Sequence, residues 1–121
     1  MLRVALVLQI VLGLLWGISM LFFAEMIALG DKSGNHIEKI AIEGAAHFML
    51  VFGAILVWRH PNPQARLALL MMIFLNALWA LTDLVYIPLF SLTAIDFTVK
   101  LIVNAALAIL LYLGGRRAAI L

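Results

Sequence analysis

The chain has 121 residues, of which 67% are apolar and only 12% charged, and its mean hydropathy is +1.20. Soluble domains are nearer half apolar and a quarter charged, and a small soluble protein must cover a large surface with polar groups. Composition therefore excludes a soluble enzyme, a disordered tail and a nucleic-acid-binding module, and the absence of cysteine excludes disulfides, zinc–thiolate sites and redox cysteines.

A bilayer core about 30 Å thick takes roughly 20 apolar helical residues to cross. Four stretches meet that length, at residues 4–24, 37–58, 67–88 and 97–114. The first is interrupted only by Gln9, Gly13, Gly17 and Ser19. It follows a thin basic start, Met1–Leu2–Arg3, which a secretory signal would share. Its apolar run is about 20 residues, however, where signal h-regions have about 7–15, so it reads as a retained helix. Gly13 and Gly17 form G-x-x-x-G, a spacing that lets helices approach closely. Both are expected at a helix-packing face, within the chain or between two copies.

The second stretch carries Glu38, Lys39, Glu43 and His47 in its first half, and then runs apolar to Trp58. Trp58 beside Arg59 suits an interfacial anchor. The connection His60–Pro61–Asn62–Pro63 has turn chemistry. The third stretch carries Asn76, Trp79, Thr82 and Asp83 and ends at Pro88. Ser91, Thr93 and Asp96 are candidate N-caps for the fourth, which holds Lys100 and Asn104. The expected fold is all-α, an integral membrane four-helix bundle in a single domain.

The arginines set the orientation. Arg3, Arg59, Arg66, Arg116 and Arg117 fall on one side, giving it +5. The three lysines and all six acids fall at or toward the other, giving it −3. The arginine side is expected in the cytoplasm, with both termini, in the cell's inner membrane. Its partners there are anionic lipid headgroups, and no nucleic acid is needed to explain the charge.

Counting inward at about 1.5 Å per residue puts Glu43, Asp83 and Lys100 roughly 6–8 Å below the outer edge, and His47, Asn76 and Asn104 about 12–17 Å below it. Residues three and four apart share a helix face. His36, Lys39, Glu43 and His47 therefore form one stripe, Asn76, Trp79 and Asp83 a second, and Asp96, Lys100 and Asn104 a third. A charge facing lipid at that depth costs several kcal/mol. The stripes are thus expected to converge in a polar pocket of Glu43, His47, Asn76, Asp83, Lys100 and Asn104, with Glu25, His36, Lys39 and Asp96 at its outer rim. Lys100 is the natural counter-ion of either Glu43 or Asp83, and one carboxylate is left over.

Glu43 and His47 stand four apart and could reach one metal ion, since imidazole with carboxylate suits zinc, iron or copper. The tighter helical signatures for such sites do not occur, and a hydrogen-bonded pair filling the bundle explains the spacing as well. No nucleophile–base pair, phosphate loop or dinucleotide motif occurs, so an enzyme is not expected.

Four short spans, the polar start of span two from Glu38 to Glu43–Gly44, a Pro-containing turn and an Arg-rich end together resemble small bacterial four-helix membrane proteins of the DoxX-like kind. Some such proteins partner membrane redox systems, so the resemblance implies an accessory, partner-binding role, within a larger membrane complex or a homo-oligomer. A proton-coupled transporter using Glu43, His47 and Asp83, and a metal- or haem-binding subunit, are the alternatives.

Overall fold

The computed structural model describes residues 1–28, 34–89 and 95–121. It is 90% helical, with no strand among the described residues. The elements are α1 (Leu2–Phe22), a single turn α2 (Ala24–Ile27), α3 (Gly34–Arg59), a 3-10 turn (Pro63–Ala65), α4 (Arg66–Leu89) and α5 (Ile95–Arg117). Four helical stretches are long and apolar enough to cross a membrane: Leu2–Phe22, His36–Arg59, Pro63–Val85 and Thr98–Arg117. The protein is a multi-pass membrane protein.

The first apolar stretch is not one helix to residue 24. It breaks at Phe23 (φ −124°, ψ 28°) and resumes as α2. The break leaves Ala24 and Ala28 buried, with α2 against α3. In α5 the expected end at Gly114 is also passed. The helix continues to Arg117 because Gly114 and Gly115 are contact positions rather than stops. A Cβ on Gly114 would lie 2.7 Å from the Leu2 Cα, and one on Gly115 would lie 2.5 Å from Leu69 Cδ2.

Termination comes later, at Ala119 in the left-handed region (φ 55°). The Ile120 amide donates to the Gly115 carbonyl at 3.0 Å, and the Ala119 amide to that of Arg116 at 3.2 Å. This is the Schellman pattern. It folds Ile120 into the core with Leu2, Ala65 and Leu69.

The helices form a ring in the order α1, α3, α4, α5. α3 lies closely on α1 and α4 on α5, while α3 and α4 meet more loosely. Consecutive spans run antiparallel, so all five arginines share one end. Arg3 sits over the Trp58 ring there, 5.9 Å from its centroid. The core of that half is apolar throughout, with Leu6, Leu50, Val57, Leu69 and Leu111 buried.

The α1–α3 seam is built on glycines. A Cβ on Gly13 would meet Val51 Cγ2 at 2.7 Å, one on Gly17 would meet the Phe48 ring at 3.1 Å, and one on Gly44 would meet the Leu21 amide nitrogen at 2.7 Å. The G-x-x-x-G face is therefore occupied by α3 of the same chain. Gly44→Val should destabilise by about 1–3 kcal/mol, the usual cost of overpacking, because its obstacle is backbone. Gly34→Ala, with no atom within 4 Å, should change stability by less than about 0.5 kcal/mol. Thermal unfolding in mild detergent compares the two.

Candidate functional site

In this ring, α1 faces α4 across one diagonal and α3 faces α5 across the other. Both cross-bundle side-chain bonds use the diagonals. Near mid-depth, Asn76 Nδ2 on α4 donates to Gln9 Oε1 on α1 at 2.7 Å, and also to the Met72 carbonyl at 2.8 Å. Closer to the end opposite the arginines, Lys100 Nζ on α5 meets Glu43 Oε1 on α3 at 2.5 Å. These two side chains are 22% and 31% exposed, so the ion pair is partly screened from the surroundings. The choice between Glu43 and Asp83 as partner of Lys100 is thereby made for Glu43.

The pair forms part of the wall of an open cavity of about 380 Å³. α3 contributes Lys39, Ile42, Glu43 and Ala46 to it. α4 contributes Trp79, Thr82 and Asp83, and α5 contributes Lys100. Helical spacing explains this set. Residues 39, 43 and 46 lie on one face of α3, and 79 and 83 on one face of α4. Thr82, three residues after Trp79, is on the same face but is not among the expected pocket residues. Its hydroxyl is already spent on the Leu78 carbonyl at 2.8 Å.

Of the expected pocket residues, Glu43, Asp83 and Lys100 come together at the cavity. His47, Asn76 and Asn104 do not line it and are buried elsewhere in the bundle. The His47 ring lies against Trp79, with centroids 4.6 Å apart and planes at 37°. Of the expected rim, Lys39 is in the wall. His36 is half-buried on α3, and Glu25 is exposed on α2; neither lines the cavity. The side chain of Asp96 lies outside the described residues. Gln9, outside the expected pocket, is the buried partner of Asn76. Its signal was a lone amide in an otherwise apolar span, at the depth of Asn76.

Several buried polar atoms have no hydrogen-bond partner among the described residues: His47 Nε2, Asn76 Oδ1, Asp83 Oδ2 and Asn104 Nδ2. Asp83 is only 8% exposed and His47 4%. Leaving such a group without a partner costs about 1–3 kcal/mol, more if it is charged. No three His, Asp or Glu side chains gather as metal ligands among the described residues. Glu43 is bonded to Lys100, while His47 lies against Trp79 with its Nε2 unpartnered. The chain matches no family model, no curated protein and no solved structure.

Removing one member of the ion pair strands the other. Glu43→Gln or Lys100→Met should each cost about 1–3 kcal/mol, between the values for surface and buried pairs. The double variant should fall short of their sum, with a coupling of about 1 kcal/mol. Asp83→Asn, which removes a carboxylate with no cation bonded to it, should leave stability level or higher. Denaturation of the four proteins in detergent reads the cycle, and a coupling near zero would mean that the pair does not form.

Proposed function

We propose that the chain is a small accessory protein of the inner membrane, with both termini in the cytoplasm and an intramembrane polar pocket that opens toward the outer side. The observation that carries this reading is the unpartnered, buried Asp83 beside an open cavity, at the end of the bundle opposite the arginines. Pockets with a few convergent polar groups are the usual place for a ligand or a partner's polar group. The sealed apolar core of the arginine half supports a receptor rather than a channel, because a path for ions needs polar groups along its whole depth. A membership among DoxX-like four-helix proteins, on architecture, fits the same accessory role.

The absence of cysteine makes the orientation easy to test. Thr82→Cys should react with a membrane-impermeant thiol reagent added outside intact cells. Asn62→Cys and Ala118→Cys should react only after the membrane is opened. Labelling of Asn62→Cys from outside would invert the topology, and an unreactive Thr82→Cys would remove the outward opening.

The accessory role makes a separate prediction. Extracted gently from native membranes, the chain should migrate in native electrophoresis well above a single-chain four-span standard of its own mass in the same detergent, and it should do so at every mild detergent tried. Migration as a lone chain would overturn the partner-binding reading while leaving the pocket in place.

A further inference from the structure

The polar cavity has an apolar continuation. A groove of about 160 Å³ lies between α3 and α4, with Met49, Gly53 and Leu56 on one side and Ala68, Met71 and Leu75 on the other. On α3, the cavity residues 39, 43 and 46 lead into groove residues 49, 53 and 56 at steps of three and four. On α4, groove residues 68, 71 and 75 lead into cavity residues 79 and 82 in the same way. Such steps keep to one helix face. The two hollows are therefore one seam, polar at the end opposite the arginines and apolar toward the arginine end. It lies where the ring is least tightly closed.

We infer that this seam holds an aminophospholipid, with the primary ammonium of its head on Asp83, its phosphate toward Lys39, and one acyl chain in the groove between α3 and α4. This deepens the pocket reading above and rests on it. Three features select this chemistry. Asp83 lines the cavity with no donor on its Oδ2, and Lys100 is already bonded to Glu43, so the carboxylate is open to an incoming N–H donor. Lys39 is exposed in the same wall, one turn outward of Glu43, and offers a cation to an anion at the mouth. A head that carries both an ammonium and a phosphate complements both. A soluble amine would leave the groove to the bilayer, whereas a lipid fills it. From Glu43 to Leu56 the seam runs about 20 Å along α3, enough for a chain that reaches through one half of a core about 30 Å thick.

The discriminating property is the ability of the head to donate hydrogen bonds to a carboxylate. Phosphatidylcholine carries the same charges with no N–H donor, and phosphatidylglycerol has the phosphate without the ammonium. Full-length protein, delipidated in mild detergent, is titrated with each lipid and read by native mass spectrometry. Phosphatidylethanolamine should bind about tenfold more tightly than phosphatidylcholine, the difference expected of one hydrogen bond to a charged group. Stepwise N-methylation of the head should lower retention stepwise, a readout that needs no variant. Asp83→Asn should bring phosphatidylethanolamine down to the level of phosphatidylcholine. Gly53→Ala should weaken all three lipids, and it should still fold, since a Cβ there makes only ordinary contacts at 3.5 Å with Met72.

Equal retention of phosphatidylethanolamine and phosphatidylcholine would overturn the inference. So would an Asp83→Asn protein that keeps the full preference. In the delipidated protein, phosphatidylethanolamine should also slow thiol labelling of Thr82→Cys, and phosphatidylcholine should not. Rapid labelling that neither lipid slows would sink the lipid but keep the pocket. An unreactive Thr82→Cys in the lipid-free protein would sink the pocket itself.

Discussion

Within an apolar surrounding, a polar side chain is tolerated only where it finds a partner inside the protein, and this constraint falls on two diagonals of a four-helix ring. Helices satisfy their own backbone groups in a membrane. They do not satisfy Gln9, Asn76, Glu43 or Lys100. The Gln9–Asn76 bond joins α1 to α4 and the Glu43–Lys100 pair joins α3 to α5. Each bond crosses the centre of the ring, so each depends on the spacing of all four helices and not of one adjacent pair. That spacing is set at the rim by glycines. Gly13, Gly17 and Gly44 draw α1 onto α3, and Gly114 draws α5 onto α1. Side-chain hydrogen bonds in membrane proteins contribute only about 0.6–2 kcal/mol each. Their larger effect here is to fix which helices face each other.

The two ends of the ring are finished differently. At the arginine end, the Schellman turn returns Ile120 to the core and Arg3 covers Trp58, while the interior is filled by aliphatic side chains. At the other end, the interior holds unpartnered atoms of Asp83, His47 and Asn104. Proteins that satisfy local rules almost everywhere tend to break them where they act. Here the unpartnered atoms lie from mid-depth toward the end opposite the arginines.

Much of this was legible in residue order. The four spans follow from apolar run length, and the shared end of the five arginines follows from their positions at span boundaries. The polar stripes follow from spacings of three and four, which is why Glu43, Asp83 and Lys100 could be expected at one level. The order of helices around the ring was not legible, because run length and depth carry no information about which helix stands beside which. That missing fact is what left the partner of Lys100 open and hid the link between Gln9 and Asn76. It also left the G-x-x-x-G face without an identified neighbour, although Gly44, Phe48 and Val51 on α3 fill it. The break at Phe23 had no breaker residue to announce it. Gly114–Gly115 gave the opposite error, because a glycine pair near a helix end reads as a stop, whereas here its lack of side chains serves close contact with Leu2 and Leu69.

The partner of Lys100 has a consequence for the site as a whole. Asp83 and Lys100 lie on helices that follow one another and pack closely, so a bond between them would have been local and would have closed the α4 wall of the cavity. The bond to Glu43 instead spans the ring, with Lys100 in the wall of the same cavity as Asp83. It leaves Asp83 in the wall, deeply buried, on the helix that borders the loose α3–α4 seam. One choice of ion pair thus does two things at once. It ties together the two helices that do not otherwise touch closely, and it leaves Asp83, at the level of Glu43, without a bonded cation. A buried carboxylate without a bonded cation is expensive to keep ionised, and Lys39 and Lys100 in the same wall offset part of that cost.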